Sequence, residues 1–97
     1  MKKLNLLDEH EVQQAYAQYI RLRRKQLKLS REALAARSTV PMATLKKFEL
    51  TGQISFRQLL LLWQSVDDLQ RLYSLILQQP SSIPLPTTIE EVLNNEL

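Results

Sequence analysis

Ser30-Arg31-Glu32-Ala33-Leu34-Ala35-Ala36-Arg37-Ser38-Thr39-Val40-Pro41-Met42-Ala43-Thr44-Leu45-Lys46-Lys47-Phe48-Glu49 reads as two short helices and the break between them. Ser30 is placed to cap the first, with Glu32 in its opening turn, and that helix spans 31–37. Ser38-Thr39-Val40 is a polar break. Pro41 suits the first position of the next helix, 41–49, because its missing N–H costs no hydrogen bond there. Two helices joined by so short a turn must cross steeply, which requires a small residue at the crossing. Ala35 fills that position. Leu34, Val40, Leu45 and Phe48 supply the inward apolar groups. The unit is a helix-turn-helix, and its second helix is expected to enter a major groove.

Helical spacing sorts that second helix. Leu45 and Phe48 lie three apart and face inward. Met42 and Lys46, and Ala43 and Lys47, are four apart and share the outward face. Two lysines with small or flexible apolar neighbours suit guanine edges, phosphates and thymine methyls. At the start of the preceding helix, free backbone N–H groups favour an anion. Ser30 and Arg31 are therefore expected to meet phosphate, and the alternative for all these residues is an ordinary solvated face.

Outward from this unit the chain continues to read as helix. Asp8 and Glu11 form a capping box that opens a helix over about 8–28, with Val12, Ala15, Tyr16, Tyr19, Ile20, Arg23 and Leu27 at helical spacing. Its last turns hold Arg21, Arg23, Arg24, Lys25 and Lys28, which suit the negative end of the helix dipole. Gly52 closes the helix before it. Ser55 with Gln58 opens a helix over 56–66, and Asp67 with Gln70 opens one over 68–78. Residues 79–97 read as a Pro-containing linker and a short terminal helix from Ile89 to Asn95, opened by Thr88 and Glu91. The expected fold class is all-α: one five-helix domain over 1–78, followed by the 79–97 segment.

Composition narrows the function. Ninety-seven residues make one domain. With no cysteine and one histidine, His10, there is no material for a disulfide, a thiolate metal site or a catalytic cluster. No cofactor and no enzymatic activity are expected. The run Leu59-Leu60-Leu61-Leu62-Trp63 is too short to span a bilayer. No signal peptide is read at the N-terminus, and a cytoplasmic protein without membrane contact is expected. Residues 21–57 hold ten basic and two acidic side chains, while residues 58–97 hold one basic and five acidic. Positive charge thus concentrates on the segment that carries the motif, which favours a polyanion partner.

The later helices carry more apolar surface than one face can bury. Leu59, Leu60 and Trp63 suit the core. Leu61 and Leu62 fall partly off that stripe and, with Leu72 and Ile76, are assigned to a homodimer or partner interface, a broad core contact being the alternative. Ile83, Leu85, Ile89, Val92 and Leu93 leave the terminal segment with apolar groups of its own.

Ile20 to Ala35 resembles the opening of the Cro/phage-repressor (XRE) class of helix-turn-helix domain, and Val40 to Glu49 resembles its recognition helix. Ala43-Thr44-Leu45 with Phe48-Glu49 is similar to HipB-type antitoxins. The resemblance covers about residues 12–77. It implies a dimer on a palindromic double-stranded operator, with Met42, Ala43 and Lys47 towards bases and Arg31 towards phosphate. It also implies a structural ion pair between Arg24 and Glu49. Two positions depart from the pattern: Arg31 where Gln is usual, and Thr39 where Gly is usual, so a left-handed residue there would be strained. The implied function is a sequence-specific, autoregulatory transcriptional repressor, with the antitoxin component of a HipA-type kinase toxin system as its variant. A protein-interaction module that does not bind DNA is the competing class.

Overall fold

The computed structural model describes residues 6–78, and the predicted linker and terminal helix of 79–97 lie outside them. Five helices follow one another: α1 (Glu9–Gln26), α2 (Arg31–Ser38), α3 (Met42–Thr51), α4 (Phe56–Val66) and α5 (Leu69–Leu77). There is no strand among the described residues, and the all-α five-helix expectation holds.

Each start has a local cause. Asp8 accepts from the Glu11 N–H at 2.9 Å, and the Asp8 N–H donates to Glu11 Oε1 at 3.4 Å, completing the box. Ser30 Oγ accepts from the Ala33 N–H at 3.0 Å. Ser55 Oγ accepts from the Gln58 N–H, but Gln58 Oε1 returns to the Ser55 hydroxyl rather than to its backbone. Asp68, not Asp67, caps α5 through the Gln70 N–H at 2.9 Å. Pro41 is the N-cap of α3 rather than its first residue.

The ends also differ from expectation by one or two residues. α1 stops at Gln26 because Lys28 turns left-handed, at φ 58°. α3 runs on to Thr51, where Gly52 at φ 82° donates to Phe48 O at 2.7 Å. Thr39 is left-handed at φ 66°, in the position that the sequence marks as strained. For a residue with a Cβ this costs roughly 1–2 kcal/mol. Its N–H bonds Ala35 O at 2.9 Å, and Ser38 Oγ accepts from the Val40 N–H at 3.1 Å, so the turn's local hydrogen bonds offset the strain.

The core is Ala17, Ile20, Leu34, Val40, Leu45, Phe48, Leu62, Trp63 and Val66. α1 and α2 each pack against both α3 and α4. Leu62 corrects the sequence reading: expected at an interface, it is completely buried. Leu62 and Val66 are four apart and form the stripe of α4 that enters the core. Leu59 and Leu61 only pack against it, and Leu60 is half-buried. Of the four residues assigned to an interface, Ile76 alone is exposed, whereas Leu61 and Leu72 are half-buried. No described helix is long and apolar enough to cross a membrane.

Candidate nucleic-acid interface

The α2–turn–α3 unit holds its inner face through Leu34, Val40, Leu45 and Phe48, all buried. The outer face of α3 is open: Met42, Ala43, Lys46 and Lys47 are exposed, as spacing predicts. Leu50, missed in the sequence, extends that face by another turn and is 77% exposed. Its i, i+3 and i+4 relations to Lys47 and Lys46 were the signal that could have found it. Ala35, read as the close-packing residue, is half-buried.

One carboxylate fixes how this unit sits on α1. Glu49 Oε2 accepts from Arg24 Nε at 2.8 Å, and Oε1 accepts from Arg24 Nη2 at 3.2 Å. Arg24 Nη1 reaches Leu29 O at 3.0 Å, so each guanidinium nitrogen has a partner. The ion pair implied by resemblance is therefore present, with side-chain exposures of 8% and 3%. Arg31 adds a third member, its Nε donating to Glu49 Oε1 at 2.9 Å. Its side chain remains 39% exposed. Expected to face phosphate alone, Arg31 is partly committed to the protein, and α1, α2 and α3 share a single carboxylate.

Ser30 is exposed at the start of α2 with its hydroxyl engaged in the cap. Arg21, Lys25, Lys28 and Arg37 are exposed too. Arg23 is turned inward: its Nε donates to Val66 O at 3.0 Å and ties α1 to the end of α4. Among the described residues no group of three or more His, Cys, Asp or Glu is arranged to hold a metal ion.

A second polar cluster joins α1 to the junction of α4 and α5, and only its Asp67–Arg71 pair, four apart, has a spacing that the sequence signals. The Tyr19 hydroxyl donates to Asp67. Arg71 Nη1 donates to Asp67 Oδ2 at 2.7 Å and to the Tyr19 hydroxyl at 2.8 Å. Tyr19 stacks on Trp63 at 5.0 Å between centroids, and the Trp63 indole N–H donates to Asp68 O at 3.0 Å. The Tyr19 hydrogen bond holds the Asp67 carboxyl below its ordinary pKa; burial opposes this, and the Asp68 N–H, Arg71 and Arg23 assist. A lowered native pKa means that stability from Asp67 is present above the unfolded value of about 4 and is lost as pH falls through the native one. Urea denaturation of wild type and Asp67→Asn is expected to show a constant stability difference near neutral pH that shrinks below about pH 4. A difference that persists unchanged in strong acid would contradict the assignment.

The chain matches no protein-family model, no curated protein and no solved structure.

Proposed function

We propose that this chain is a transcriptional repressor that binds double-stranded DNA through the outer face of α3 and acts on its own promoter. The observation that carries the reading is the division of α3. Leu45 and Phe48 are locked into the core, while Met42, Ala43, Lys46 and Lys47 stand exposed on a helix anchored by Glu49. A groove reader needs that combination of fixed orientation and free face. The face is basic and apolar and carries few hydrogen-bonding groups, so phosphate contacts and duplex shape contribute much of the affinity. Ser30 and the open end of Arg31 supply phosphate contacts at the start of α2. A homodimer presenting two copies of α3 about 34 Å apart fits a palindromic operator. Such a protein works in the cytoplasm.

The test is fluorescence anisotropy with a labelled duplex from the chain's own upstream region. Affinity is expected to fall steeply with salt. Each of Lys46→Ala and Lys47→Ala is expected to weaken binding, by about tenfold or more where a base contact is lost. Where the lysine meets a phosphate, the salt slope is reduced by about one. Binding that ignores both salt and these substitutions would remove the reading.

The exposed apolar surface of α5 favours a second reading, in which a protein partner is the primary ligand. A HipA-type kinase is the partner in its antitoxin form, and co-purification of such a kinase with the chain tests it.

A further inference from the structure

α5 is the least covered element of the fold. None of its residues is buried, and Leu69, Tyr73, Leu75, Ile76 and Leu77 are exposed large apolar groups. Between α5 and the start of α4 runs an open apolar groove of about 480 Å³, lined by Phe56, Leu60, Leu69, Leu72, Tyr73 and Ile76. Phe56 in its lining is 73% exposed. A continuous apolar surface of this kind on a small domain marks a binding site.

We infer that the occupant is the chain's own segment 89–93, folded back in the same molecule. Three observations point to it. The described chain leaves at Gln78, directly after the helix that forms one wall of the groove, and nineteen residues follow. Residues 79–88 can span roughly 33 Å, more than twice the roughly 13 Å length of a nine-residue helix, so the return is unhindered. Ile89, Val92 and Leu93 follow a Thr88–Glu91 capping pair at i, i+3 and i+4, a pattern that offers one apolar stripe of groove width.

A second copy fits less well. A two-fold contact on this groove must pair the surface with itself, whereas the tail brings a separate apolar stripe to it. A tethered segment also holds an effective concentration near millimolar, which an unlinked partner rarely reaches. The inference is independent of whether α3 binds DNA.

The chain has no cysteine, so a single nitroxide can be attached at Asn94→Cys of the full chain. Methyl resonances of Leu60, Leu69 and Ile76 are expected to lose most of their intensity, while those of Leu34 and Leu45 keep theirs. Adding Ile89→Asp and Val92→Asp is expected to restore the groove signals and leave the core spectrum unchanged. Three results would overturn the inference. One is no broadening at the groove. Another is broadening that survives the two aspartates. The third is broadening of an isotope-labelled chain by a separate spin-labelled copy, which would make a second molecule the occupant.

Discussion

Replacing Glu49 by alanine is expected to destabilise the chain by about 3–5 kcal/mol, since one partner of a buried ion pair is removed and the other stays. The cost comes from what remains. Arg24 is 7% exposed and would keep a full charge with only Leu29 O to accept from it. The Arg31 arm, partly open to solvent, contributes less than about 1 kcal/mol of this. Small domains have only about 5–15 kcal/mol in total, so the variant should melt well below wild type. Glu49→Gln, which keeps an acceptor oxygen in place, should fall between the two. The decisive comparison is Arg24→Met with Glu49→Met. Removing both charges is expected to cost less than Glu49→Ala alone. Urea denaturation measures all four proteins, and a double variant as unstable as Glu49→Ala would show that the stranded cation is not the cause.

The second large effect is expected at Phe48. It is 1% exposed and lies where α3 meets the core cluster, so Phe48→Ala should cost about 3–5 kcal/mol through lost burial and the cavity left behind. Leu50, two residues on, faces outward, and Leu50→Ala should change stability by no more than about 0.5 kcal/mol. The pair separates the two roles of α3 within one turn. Under the proposed function, Leu50→Ala retains a folded domain, so any change in its DNA affinity is a surface effect, whereas Phe48→Ala loses binding because α3 is no longer held. Equal destabilisation of the two variants by urea would contradict the division.

How much of this was legible follows from the reach of each signal. Caps act over three residues, so Asp8 with Glu11 and Ser30 with Ala33 could be read locally, and so could the glycine at position 52. The division of α3 was readable because Leu45 and Phe48 alternate with polar groups. In α4 the run Leu59 to Trp63 is apolar in every direction, so periodicity has no phase there, and Leu62 was placed on the wrong side. Adjacent aspartates at 67 and 68 both suit a cap, and the Tyr19 hydroxyl from α1 together with Arg71 engages Asp67 instead. Arg31 to Glu49 spans eighteen positions, and Tyr19 to Arg71 spans fifty-two. Contacts of that separation leave no trace in local spacing. The Arg24–Glu49 pair was anticipated from a family resemblance, not from the spacing of the residues.

The aromatic packing beside α5 decides what light can report about this protein. Trp63 is the single tryptophan, and the three tyrosines are Tyr16, Tyr19 and Tyr73. All four belong to α1, α4 and α5, while α2 and α3 contain no indole or phenol. The indole stacks on Tyr19, is overlain by the Arg71 guanidinium at 5.9 Å and donates to Asp68 O at the threshold of α5. Intrinsic emission is therefore a gauge of how α5 is seated, and it has no chromophore on the face that carries Lys46 and Lys47. A duplex added to the protein must bring its own dye, and a shift in tryptophan colour during such a titration would mean that the packing around Trp63 has changed.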